Sequence, residues 1–220
     1  MRFARAVATP AAAIAGLLAG AIACAAAAQP AATPSPADGE PLYRADAPGT
    51  FELPVLYEAP DFEVRDAATG APVALRTLRG RVVVLSLFYT HCPDGNACPL
   101  ATATLRSAER ALAEKGLAGR VTLLSVTFDE ARDTPEVLRA HRDMVGAGPG
   151  WILATPETAE RRAALLAAYD QRIARAPDGS IVHPLRVYVI DRRGRVRQIY
   201  SQSWLRADVL MSDVETLLAE

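Results

Sequence analysis

Residues 81–89 constrain this chain more than any other stretch. Val82, Val83, Val84, Leu85, Leu87 and Phe88 crowd together there, with Ser86 as the one polar interruption. A short, near-continuous apolar run of this kind reads as a strand buried on both faces, at the centre of a sheet. Residues 121–128 form a second such run. Between the two, Ala101, Leu105, Ala108 and Leu112 recur at helical spacing. They predict a helix over residues 99–115, ended by Gly116.

The remaining elements extend this strand–helix–strand core. Residues 61–64 and 71–75 read as a β-hairpin turned by Ala67-Ala68-Thr69-Gly70. Thr134-Pro135-Glu136 is a helix start, with Thr as N-cap and Pro at the first helical position, and that helix runs to Val145. Residues 151–154 make a short strand. Thr155-Pro156-Glu157 repeats the start signal for a helix reaching Tyr169. Residues 186–190 and 196–200 are strands joined by the turn Asp191-Arg192-Arg193-Gly194. A helix holding Val209, Leu210, Val214, Leu217 and Leu218 closes the chain. Strands alternating with helices predict an α/β fold, a mixed central sheet with helices on both faces. This is the thioredoxin-like pattern with an added N-terminal β-hairpin.

The N-terminus carries an address. Arg2 and Arg5 make a positive start, residues 11–23 are apolar, and small residues follow at Ala25 to Ala28. Residues 1–28 therefore read as a signal peptide, with an uncleaved membrane anchor as the alternative. The stretch Ala21-Ile22-Ala23-Cys24 resembles a bacterial lipobox, although Ala21 stands where leucine is expected. Two outcomes stay open: a lipoprotein signal ending before Cys24, giving a lipid anchor there, or cleavage after Ala28. Residues 29–50, interrupted by Pro30, Pro34, Pro36, Pro41 and Pro48, read as a Pro/Ala-rich linker. Residues 51–220 are left as one domain. The expected location is exported: periplasmic, or membrane-anchored and facing the periplasm. Net charge is −1, and the cations, nearly all Arg, gather into no basic face, so no nucleic-acid partner is expected.

Export leaves two cysteines in the domain, Cys92 and Cys98. They follow the first buried strand and open the next helix. A helix N-terminus offers free N–H groups and partial positive charge, which stabilise a thiolate. This predicts Cys98 as the more acidic thiol. Pro93, Asp94, Gly95 and Asn96 are turn formers that can fold Cys92 back toward it. Two thiols held this way form a disulfide or grip a soft metal ion, and Cu(I) suits thiolates in an exported site. The bland alternative is a structural disulfide closing a small loop.

Three spaced motifs then point to a family. Phe88-Tyr89-Thr90-His91-Cys92-Pro93-Asp94 with Cys98-Pro99 resembles the active-site segment of the Sco/SenC family. Residues 124–129 with Arg132-Asp133-Thr134-Pro135-Glu136-Val137-Leu138 resemble its second signature. His183, ahead of Tyr188-Val189-Ile190-Asp191, resembles its third. The resemblance implies a thioredoxin-like fold and a copper ion, Cu(I) or Cu(II), held by Cys92, Cys98 and His183. It also implies copper delivery to a recipient such as a cytochrome c oxidase subunit, with a thiol reductant keeping the cysteines reduced. Some members act mainly as thiol–disulfide reductases, so a periplasmic oxidoreductase with Cys92 and Cys98 as its redox-active pair is the second reading. A lone peroxidatic cysteine fits poorly with a pair. Two departures stand out. The spacing is C-x5-C where the family usually has C-x3-C. Val182 and Pro184 flank His183 where an Asp and a Ser or Thr are common. An Asp there would fix the imidazole tautomer, whereas Pro184 stiffens the loop.

Other candidates carry weaker expectations. His91 either lowers the pKa of Cys92 or fills the strand end and points away. His141 is expected at the surface of its helix. Asp94 either tunes the site or makes a turn, and capping accounts for Asp133. Met144, Met211, Trp151 and Trp204 are expected to pack in the core.

Overall fold

A computed structural model describes residues 44–220. The signal expected over residues 1–28, with Cys24 in it, lies outside the described residues. Two strands form the centre, β4 (Val82–Phe88) and β5 (Val121–Thr127). They pair in parallel, in register from Val82↔Val121 to Phe88↔Thr127. Every residue of both strands is buried. That is the signature of a sheet covered on each side, and it is what the apolar runs predict.

The sheet grows outward from this pair. β6 (Trp151–Thr155) adds in parallel to β5, and β9 (Val187–Ile190) adds antiparallel to β4. β10 (Arg195–Tyr200) continues from β9 as a hairpin, and β1 (Tyr57–Glu58) pairs on its far edge. The N-terminal hairpin, β2 (Glu63–Asp66) and β3 (Pro72–Ala74), joins the opposite edge through β6. The strand order is β1-β10-β9-β4-β5-β6-β2-β3, a mixed sheet of thioredoxin-like type. A separate small hairpin, β7 (Ala174–Arg175) with β8 (Ile181–Val182), is not predicted from the sequence.

Among the described residues, four α-helices pack around the sheet. α1 (Cys98–Glu114) runs between β4 and β5 and packs on the C-terminal helix α4 (Ala207–Ala219). Gly116 ends α1 as expected: it sits at φ +67°, its N–H bonds to the Ala113 carbonyl, and the N–H of Leu117 reaches Leu112. α2 (Pro135–Val145) starts on the Thr134 cap, whose hydroxyl accepts from the N–H of Val137. α3 spans Ala159–Ala168, later than Thr155-Pro156-Glu157 predicts. The reason is that Thr155 is still in β6, paired with Arg65, so the capping hydroxyl comes from Thr158 instead. Just after α3, Tyr169 packs edge-on against Tyr188 and Phe62. Residues before Phe51 already touch the domain: Gly49 N–H donates to Thr216 Oγ1 at 2.9 Å, and Ser212 donates to the Asp46 carbonyl.

Candidate metal centre

Three separate segments converge at the C-terminal end of β4. Cys92 lies in the loop that follows that strand, and Cys98 is the first residue of α1. The intervening residues turn on Asp94. Its carboxylate accepts from Asn96 N–H at 2.9 Å and its carbonyl from Ala97 N–H at 3.0 Å, so Asp94 makes the turn. Cys92 Sγ lies 3.8 Å from the same carbonyl. Both cysteines are free thiols, Cys92 half-buried and Cys98 buried.

His183 comes from far along the chain, directly after β8. The β7–β8 hairpin that carries it is fastened at several points. Tyr89, at the end of β4, donates from its hydroxyl to the Ile181 carbonyl at 3.0 Å and accepts from the Ile181 N–H at 3.1 Å. Arg175 pairs with the fully buried Asp129 at 3.0 Å, and Arg132 donates to the Gly179 carbonyl at 3.1 Å. The imidazole then sits against the ring edges of Phe128 and Tyr89, centroids 4.9 and 5.8 Å away.

The result is a compact donor set. Cys98 Sγ is 3.4 Å from His183 Nε2, and the ligand atoms of Cys92, Cys98 and His183 all lie within 4.8 Å of one another. Among the described residues, no other cluster of His, Cys or carboxylate groups is placed to hold a metal ion. His183 Nδ1 lies 3.1 Å from the Pro184 carbonyl. Donation there leaves the Nε2 lone pair facing Cys98. Pro184 thus supplies the acceptor that an aspartate would otherwise provide. Gln171 Nε2 donates to the same carbonyl at 2.9 Å and holds it in place. Burial lowers the His183 pKa, so the ring is a neutral ligand at neutral pH.

Cys98 corrects the expectation of an acidic thiol. Burial raises its pKa far above the ordinary thiol value, and the neighbouring Cys92 adds to the rise. Backbone hydrogen bonds from Tyr89, just after β4, and from Cys98 itself pull the other way, but desolvation is the larger effect. Burial therefore favours the protonated thiol at Cys98 over a standing thiolate, and a metal ion binding there would displace the proton to solvent. Two sulfurs and a neutral imidazole suit a soft ion such as Cu(I).

The surrounding residues divide differently from the sequence expectation. The ring of His91 turns to Thr90 Oγ1, at 2.8 Å, and lies near Asp133. Asp133 does more than cap: wholly buried, it accepts from the Thr90 N–H and from the hydroxyls of Thr90 and Thr127, tying the cysteine loop to β5. His141 is not a plain surface residue but half-buried, tilted on Phe88 with centroids 5.7 Å apart. Met144 and Trp204 are 74% and 57% exposed, so neither is in the core, whereas Met211 and Trp151 are. Gln171 escapes sequence reasoning altogether, because a side chain that steadies a carbonyl leaves no motif.

A mixed thioredoxin-like sheet with two cysteines at its first strand–helix junction and a histidine brought against them defines a thiol-and-imidazole protein of redox or metal chemistry. The SCO1/SenC family model matches residues 56–219, and the chain belongs to that family. Protein SenC of Rhodobacter capsulatus is 31% identical over 124 residues, 56% of this chain and 54% of that protein. The alignment thus spans about half the length of that relative. Among solved structures, a SCO1/SenC family lipoprotein from Bacillus anthracis str. Ames superposes with a TM-score of 0.65 at 23% identity, covering 74% of this chain and 96% of its own. Arabidopsis thaliana ScoI with copper bound superposes at 0.63 and 20% identity, covering 73% and 98%. At these identities the two structures establish the shared fold.

Proposed function

We propose that this chain is an exported copper-binding protein that hands copper to a recipient by ligand exchange. The observation that carries this is the convergence of the ligand atoms of Cys92, Cys98 and His183 within 4.8 Å of one another. Family membership supports it, as does the copper held by the Arabidopsis relative of the same fold. In this reading Cys92 and Cys98 bind Cu(I) as thiolates and His183 closes the site through Nε2; Cu(II) leans more on the imidazole. The recipient would be a cytochrome c oxidase copper centre, and a thiol reductant would keep the pair open. The proposed organisation is a signal over residues 1–28, or a lipoprotein signal ending before Cys24, then a linker to residue 50 and the domain over 51–220.

The second reading, a thiol–disulfide oxidoreductase, is favoured by the two free thiols at a thioredoxin-like junction. Half-buried Cys92 would attack and Cys98 would resolve the mixed disulfide. The raised Cys98 pKa speaks for the metal reading, because a metal ion displaces the proton directly. Titrating the reduced protein with Cu(I) against a competing chelator, with and without His183→Ala, separates the two. Tight binding that weakens in the variant supports copper. Absence of tight binding, together with rapid exchange with glutathione disulfide, overturns it in favour of the oxidoreductase.

A further inference from the structure

A groove of about 390 Å³ opens beside the cysteine pair, between α1 and α2. Cys92 and Cys98 line it, and so do His141 and Met144 of α2; His183 does not. His141 and Met144 are three residues apart on one helix, which places their side chains as neighbours on one face. Met144 is 74% exposed, so packing does not account for it. His141 is held neutral, chiefly by burial, and its ring lies tilted on Phe88. The only charged side chain lining the groove among the described residues, Arg106, is paired with Glu109 at 3.0 Å. A thioether and a neutral imidazole thus share one apolar groove with two thiols.

We infer that His141 and Met144 form a second, weaker Cu(I) site, through which copper enters or leaves the cysteine site. The inference rests on the copper reading above. Thioether and imidazole are soft enough for Cu(I) but bind it less strongly than thiolates do. Two weaker donors, half-buried His141 and exposed Met144, beside the stronger cysteine pair therefore make a downhill path inward, and a first acceptor on the way out. Copper stays Cu(I) throughout: a bond to Met144 or His141 breaks as a bond to a cysteine sulfur forms, and the thiol proton passes to solvent.

The test uses the reduced full-length chain with Cys24→Ser, so that no third thiol competes. The chain has three methionines, and methyl NMR with Ag(I) as a redox-inert probe reads each one. The Met144 signal is expected to move after the cysteine site has filled, and to move still in Cys92→Ser/Cys98→Ser, while buried Met211 stays fixed. In Met144→Leu/His141→Gln, Cu(I) transfer to a chelator should slow about tenfold, a barrier change of about 1.4 kcal/mol, with the affinity of the cysteine site unchanged. Because Met144 is exposed, Met144→Leu alone should slow transfer without disturbing the fold. Tight binding with an unmoved Met144 signal and unchanged transfer overturns the second site and leaves the copper reading standing. Movement of Met144 with the first equivalent overturns it too, making Met144 a ligand of the cysteine site. No binding of either ion overturns both readings.

Discussion

His183 Nε2 faces Cys98 because the opposite ring nitrogen is engaged by Pro184, whose carbonyl Gln171 also holds. Gln171→Ala should therefore weaken Cu(I) binding about tenfold without unfolding the protein, since outer groups that orient a ligand carry effects of about 10–100-fold; competition titration measures it. The protonation states set a pH dependence. Burial lowers the His183 pKa, so its imidazole stays a ligand at acidities where an exposed histidine is charged. Burial raises the Cys98 pKa, so copper must displace that proton, and affinity should climb with pH through neutrality. Titrations between about pH 6 and 8 should show this rise and a release of protons into weakly buffered solution. The cysteine pair was legible because both residues sit at one strand–helix junction. His183, 85 residues from Cys98, was legible only through the family motif, because no local spacing links them. The raised pKa of Cys98 is not legible in the sequence, which shows a helix start but not the depth at which it is buried.

At the scale of elements, the β7–β8 hairpin is the piece that completes the site. Its strands hold two residues each, too few for an alternating pattern to announce them. Tyr89 secures it with two hydrogen bonds to Ile181. In Tyr89→Phe both are lost, at about 1 kcal/mol each. The Ile181 amide should then exchange with solvent about tenfold faster or more, while the amides of β4 keep their protection. Copper affinity should fall in the same variant, because His183 is carried by the loosened hairpin. Unchanged exchange at Ile181 would show that Asp129–Arg175 and Arg132 alone hold the hairpin down. By contrast, α1 and α2 were readable from Gly116 and from Thr134-Pro135. The start of α3 was displaced because two threonines, Thr155 and Thr158, offer the same signal, and only pairing with Arg65 shows that the first belongs to the sheet.

Across the whole molecule, the two apolar runs were enough to imply a covered central sheet, whereas β1 at the far edge, two residues long, left no trace in the sequence. Arg197 of β10 ties this side of the sheet to the C-terminus, donating to Asp191 in the β9–β10 turn and to Glu220. Burial alone would raise the pKa of Asp191, but hydrogen bonds from Arg195, Arg197 and backbone N–H groups outweigh it and hold the carboxyl below its usual range. A depressed carboxylate pKa contributes stability that is complete above the ordinary carboxylate range and is lost as pH falls through the folded value. Asp191→Asn should therefore lower the melting temperature at pH 7, and the gap from the parent should narrow as the pH falls toward 3; a gap independent of pH would contradict this. All of this turns on Cys92, Cys98 and His183 sharing one copper ion, as proposed above. X-ray absorption at the copper edge, on protein loaded with less than one equivalent of Cu(I), tests it most directly. Two sulfur neighbours and one nitrogen are expected, with the nitrogen lost in His183→Ala. A shell without sulfur, or one that His183→Ala leaves unchanged, would contradict it.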